Sequence, residues 1–234
     1  MKSYSVGVLV VFLVSAVTGW GAPVKYSDLA KEEAFASATP EQRLEILHKK
    51  IENKEIASYD VSADVVGRLF RVRLLDEADA GARLAVYGQL RAKYSKLPAT
   101  YELETHLAVE FLAVSPEGQK GDLVGMMKWI KRFQDEGKMS WPAVAPLHDG
   151  MLAAYLISNA EYQGLPAKDK VVFLRKLCAE GAVADMTATH FAVGVVASEL
   201  ARTPPEQQKA VFDEIAPTLD FFTKSAIRNA YEFP

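Results

Sequence analysis

Apolar residues recur with a 3.6-residue rhythm through nearly the whole chain, and the two-residue alternation of half-buried strands is almost absent. A chain patterned this way buries one face of each helix against other helices, which makes the fold class all-α. Start signals agree with the rhythm. Thr39-Pro40-Glu41-Gln42 reads as a capping box with Pro at the first helical position, ahead of Leu44, Leu47 and Ile51 on one face. Thr203-Pro204-Pro205-Glu206 repeats that device before Val211, Phe212 and Ile215. Ser62 is placed to cap a helix carrying Val65, Val66, Leu69, Phe70 and Leu74, while Asp79 and Thr100 are placed to cap two more. Further helices are expected over 120–136, 145–162, 166–180, 185–202 and 218–231, with short connections marked by Gly or Pro.

Helix starts at Pro40, Pro116, Pro166 and Pro204 lie 76, 50 and 38 residues apart, and 76 is twice 38. A start lacking Pro falls near Ala78, and equivalent apolar positions follow most of the starts. This spacing predicts antiparallel helical hairpins stacked as a short α-solenoid-like array, in five units of about 38 residues, with Leu47, Ile51, Phe173, Leu177, Val211 and Ile215 in the core. An irregular helical bundle is the alternative. A short helix over Ser27–Ala36 is expected to cap the first unit.

The first residues concern address. Lys2 precedes an apolar run from Val6 to Val17, then Gly19 and Gly21. That order is a secretory signal peptide over 1–21, cleaved before Ala22. The expected organisation is a signal peptide (1–21), an N-terminal cap segment (22–38) and a single helical domain (39–234). The expected address is exported, periplasmic or secreted. No second stretch of 18 apolar residues follows, so stable membrane insertion after cleavage is not expected. The whole chain carries a net charge of −3 and a pI near 5.9, giving no basic excess for nucleic acid. Cys178, the one cysteine, lies beside an apolar helical stripe and reads as a small buried hydrophobe.

Catalytic signatures do not emerge. His106 and Glu110 stand four residues apart with Glu102 one turn earlier, a solvated charged face without the further ligands a metal site requires. His190 sits in an apolar helix and reads as a hydrogen-bonded core imidazole, whereas His48, followed by Lys49 and Lys50, reads as exposed. Gly118-Gln-Lys-Gly121 reads as a turn only, and Trp129 is expected to pack inward. No catalytic residue, metal or cofactor is therefore assigned.

The least ordinary stretch runs from Gly137 to Gly150 and coincides with a 12-residue excess in the third unit. It combines Trp141, two prolines, His148 and Asp149, and reads as a stiff loop on which Trp141, His148 and Asp149 are the candidate contacts for a ligand or partner. The plain alternative makes Ser140 a helix cap and Trp141 a packing staple. The leading functional expectation is an exported, non-enzymatic scaffold or adaptor for a protein or peptide. The alternatives are an extracytoplasmic hydrolase using Asp149 and a second carboxylate, and a small-ligand carrier. An open apolar groove would favour the adaptor, a polar cleft with converging carboxylates the hydrolase, and an enclosed apolar cavity the carrier.

Overall fold

A computed structural model describes residues 25–233. The expected signal peptide and its cleavage point lie outside the described residues. Fourteen α-helices and two 3-10 turns are found among the described residues, and no strand. The first two, Tyr26–Leu29 (α1) and Glu33–Ala36 (α2), replace the single helix expected there, because Glu32 adopts extended backbone and restarts the chain. Pro40–Glu52 (α3) opens on a complete capping box: Gln42 N donates to Thr39 Oγ1 at 3.3 Å, and Thr39 N donates to Gln42 Oε1 at 2.8 Å. Ser62 and Asp79 cap Ala63–Leu74 (α4) and Ala80–Lys93 (α5) as the sequence predicts.

Thr100 precedes Tyr101–Val114 (α6) without capping it, since its hydroxyl turns inward to Tyr87. The following turn forms a short helix, Pro116–Lys120 (α7). A side chain at Gly118 would place its Cβ 1.8 Å from the Leu112 carbonyl oxygen, so only glycine fits. Asp122 caps Leu123–Asp135 (α8). Then come Trp141–Ser158 (α9), Ala160–Gly164 (α10), Ala167–Ala179 (α11), Asp185–Arg202 (α12), Pro205–Ile215 (α13) and Phe221–Tyr231 (α14). The second capping device fails. Pro204 is the N-cap of α13, and the Thr203 hydroxyl instead donates back to Glu199 O at 2.9 Å. Asp220, unremarked in the sequence, caps α14 and also accepts from Arg175 and Thr189.

Neighbours in sequence pack together: α3 on α4, α4 on α5, α5 on α6, α8 on α9 and α11 on α12. Beyond these, α6 packs on α9, and α12 meets both α13 and α14. The buried apolar side chains form two cores. One gathers residues from Leu29 to Val144, the other gathers Met127 and residues from Leu152 to Ile227. Helices α8 and α9 serve both, with Trp129, Ile130, Ala143 and Val144 in the first and Met127, Leu152 and Leu156 in the second. Of the expected core residues, Leu47, Leu177 and Ile215 are buried, while Ile51, Phe173 and Val211 are half-buried at the core edges.

Candidate functional site

The stretch from Gly137 to Gly150 is largely helix: the helix expected from 145 begins four residues earlier, and Ser140 stands at its N-cap position without a side-chain cap bond. Helix α9 begins at Trp141 and runs unbroken through Pro146 to Ser158. Pro142 falls in the first turn, where its missing N–H costs nothing, and the helix tolerates Pro146 one turn on. Only 137–140 remains as a turn.

The structure brings Trp141, His148 and Asp149 together at the boundary of the two cores. The Trp141 and His148 rings meet edge to face, with centroids 5.5 Å apart. His148 is 0% exposed. Its Nε2 lies 3.0 Å from Ala182 O in the α11–α12 turn, so Nε2–H donates and Nδ1 carries the lone pair. Nδ1 is buried without a hydrogen-bond partner, 4.0 Å from Asp149 Oδ1. That oxygen accepts from Thr187 Oγ1 at 2.8 Å. Burial holds the His148 imidazole below its usual range, and Lys131 adds to this against the opposing pull of the Ala182 carbonyl and Asp149. With no exposed surface, His148 touches no outside molecule in this conformation; the trio forms a joint.

Two of the other histidines depart from expectation, and His106 does not. His190 is exposed rather than core, because α12 turns Ala188, Ala192 and Val196 inward instead. His48 is half-buried against Tyr94, with its Nδ1 buried and unpartnered. His106 is exposed and pairs with Glu110 at 3.0 Å, which also accepts from Arg83 at 2.9 Å. No group of three or more His, Cys, Asp or Glu is arranged to hold a metal ion among the described residues. Burial, with the negative charge of Asp185, pushes the half-buried Cys178 thiol up to about 11.

Sequence reasoning missed Glu104, which is 5% exposed. It accepts from Ser140 N, from Ser140 Oγ at 3.0 Å and from Tyr87 OH at 3.0 Å, and Tyr87 OH also meets Thr100 Oγ1. Burial, and then the Glu104 charge, push the Tyr87 phenol well up. The signal was present: Glu104 lies three and four residues before Leu107 and Ala108, inside the apolar stripe of α6.

Tyr87 and Ser140 stand behind the two banks of an open groove of about 520 Å³. One bank is the outer face of α5, with Gly81, Leu84, Ala85, Gly88, Gln89 and Ala92; Phe111, Phe133, Gly137 and Lys138 form the other. Aromatic stacking fixes this second bank. Trp129 is buried as expected and stacks on both Phe111 (4.3 Å) and Phe133 (4.0 Å), whose own ring centres are 6.1 Å apart. Lys138 Nζ stands 4.9 Å from the Phe133 ring centre. A Cβ at Gly88 would meet nothing within 4 Å, so the groove floor is open there. Other clefts among the described residues carry charged side chains. One, of about 330 Å³ between α4 and the start of α6, carries Arg68 and Arg71. Another, of about 680 Å³, runs along α12 past His190, Glu199 and Arg202.

No helix among the described residues is long and apolar enough to cross a membrane. No family model matches the chain, and no curated protein or solved structure matches it at a significant level.

Proposed function

We propose that the protein is an exported, non-enzymatic adaptor that takes a helical segment of a partner protein or peptide into the groove between α5, Phe111 and Phe133. The observation carrying this reading is the groove itself: open, mainly apolar, walled by stacked aromatics and floored by small side chains. From Gly81 to Ala92 the floor spans about 16 Å, or three helical turns. Small residues on the floor let a second helix backbone come close, and Phe111 and Phe133 offer it apolar contact. In this reading the scaffold is a short α-solenoid-like stack. Its support is that the first helices of successive pairs begin at Pro40, Ala80, Leu123, Ala167 and Pro205, 38 to 44 residues apart. The contribution of the 137–150 stretch to the partner surface then comes from Gly137 and Lys138, while Trp141, His148 and Asp149 lie outside the groove lining.

The experiment places a photo-crosslinking benzoylphenylalanine at Ala85 and, as a control, at Val72 on the exposed face of α4. A discrete crosslinked product from position 85, absent from position 72 and lost with Gly88→Leu in an otherwise native fold, is the expected result. Equal labelling from both positions overturns the reading.

A further inference from the structure

Where the two cores meet, the direct polar ties from α9 to the second half run through two neighbouring residues. His148 reaches Ala182 O in the α11–α12 turn, and Asp149 receives the Thr187 hydroxyl of α12. His148 stands on α9 between Val144, which belongs to the first core, and Leu152, which belongs to the second. Its ring touches Trp141 on the side of the first core while its Nε2 faces the second. We infer that His148 is a pH-operated latch between the two cores: neutral, it ties α9 to the α11–α12 turn, and taking up a proton releases that tie.

What a proton would meet at Nδ1 decides the state of the ring. Nδ1 is the only basic atom of the neutral ring, and it is buried with no acceptor at hydrogen-bond distance. A protonated ring would carry a full charge and a second N–H donor into a space that satisfies neither. The Ala182 carbonyl and Asp149 favour the charged ring, but burial outweighs them and neither gives an Nδ1–H its acceptor. On α9 itself, Asp149 Oδ1 is 4.0 Å away and already engaged by Thr187. From α8, Lys131 adds like charge, tempered by its bridge to Asp135 at 2.6 Å. From the α11–α12 side, Asp185 and the Cys178 thiol interact with each other, and the thiol stays protonated. From α6, the Thr105 hydroxyl is held by Ala143 O, and Glu104 by Ser140 and Tyr87.

The sign follows. The folded-state pKa of His148 is lowered, so below about pH 6.5 the opened chain binds a proton that the closed joint refuses. The joint's stability is fully present above that pH and is lost as pH falls towards the folded value, by up to tenfold in the opening equilibrium per pH unit. Opening separates α9 from the 182–187 segment and leaves the distant α3–α4 pair untouched, because α3 packs on α4 well inside the first core. The inference is independent of what occupies the groove.

Amide hydrogen exchange on the full chain tests it, at pH 7.5 and 5.0 and corrected for intrinsic rates. Protection over 182–188 and the first half of α9 should fall at the lower pH, by up to about thirtyfold, while α3 and α4 keep theirs. His148→Gln, which retains a donor for Ala182 O but does not titrate, should abolish that local pH dependence. An equal loss in His148→Gln, a uniform loss along the chain, or no loss at all overturns the latch. Should the variant fold poorly, an NMR titration of the wild-type imidazoles decides. A His148 ring that stays neutral well below pH 6.5 supports the latch, and one that protonates at or above 6.5 with the joint intact overturns it.

Discussion

Glu104 and His148 sit on helices that pack against each other, both are buried, and their surroundings treat them in opposite ways. Glu104 on α6 collects donors from two other segments, Tyr87 of α5 and the backbone and hydroxyl of Ser140. His148 on α9 has one bond and one orphaned nitrogen. A buried charge whose acceptor capacity is filled fixes the groups around it in one arrangement. A buried base left half-satisfied holds its joint only while it stays neutral. The first region is therefore built as a fixed brace behind the groove, and the second as a joint with a condition attached.

The largest effects expected are in the cores that these residues connect. Leu47→Ala and Leu177→Ala should each cost ~2–5 kcal/mol, because both side chains are buried, one in each core. Chemical denaturation followed by tryptophan fluorescence in a Trp141→Phe background, so that Trp129 reports the first core, and by overall helicity shows whether the cores melt together. Coincident curves in both variants mean one cooperative unit despite the weak joint. A split appearing only in one variant at low pH would sharpen the contrast between brace and latch.

Next comes the brace. Glu104→Ala removes the acceptor of the half-buried Ser140 N and leaves Tyr87 OH with Thr100 Oγ1 alone, and should cost about 1–3 kcal/mol. Glu104→Gln should cost about half that, since an amide oxygen still accepts one of the donors. A cost below about 0.5 kcal/mol for the alanine variant, measured by urea titration, would mean the network contributes no more than an exposed surface contact does.

The helix ends separate what was legible from what was not. Thr39, Ser62 and Asp79 could be read as caps because capping is local: the hydroxyl or carboxylate and the N–H it serves lie three residues apart. Thr203 carries the same signature but fails, because two consecutive prolines follow and its hydroxyl finds the Glu199 carbonyl first. Thr39→Ala should accordingly cost about 1 kcal/mol and Thr203→Ala less than about 0.5, by thermal unfolding. The all-α class and the pairing of neighbouring helices were legible for the same local reason. The site was not. Pro142 looked like a loop residue ahead of the helix expected from 145, yet the first turn of a helix accepts a proline and the helix starts at Trp141. His190 and His148 exchanged their expected roles, since which face of an apolar helix turns inward is decided by what packs on it. The groove joins α5, α6 and α8 through Phe111 and Phe133, residues 22 apart in sequence, and no local pattern announces such a contact.

The one substitution expected to stabilise the protein bears most directly on the groove. Gly88 lies in the interior of α5, where glycine is about 0.5–1 kcal/mol less favourable than alanine. Its backbone is not in the left-handed region, and a Cβ there would meet nothing within 4 Å. Neither strain nor crowding demands glycine, so Gly88→Ala should stabilise the free protein by about 0.5–1 kcal/mol in thermal unfolding. A glycine that weakens its own helix gains a purpose if another backbone comes close to it. The same variant should then crosslink less from position 85, by several-fold, although its fold is firmer. If Gly88→Ala raises the melting temperature and leaves crosslinking intact, the partner does not approach α5 at this point and the groove reading loses its floor. If it lowers the melting temperature, α5 is held by something other than its own propensity and the brace at Tyr87 needs a stronger role than the one given to it above.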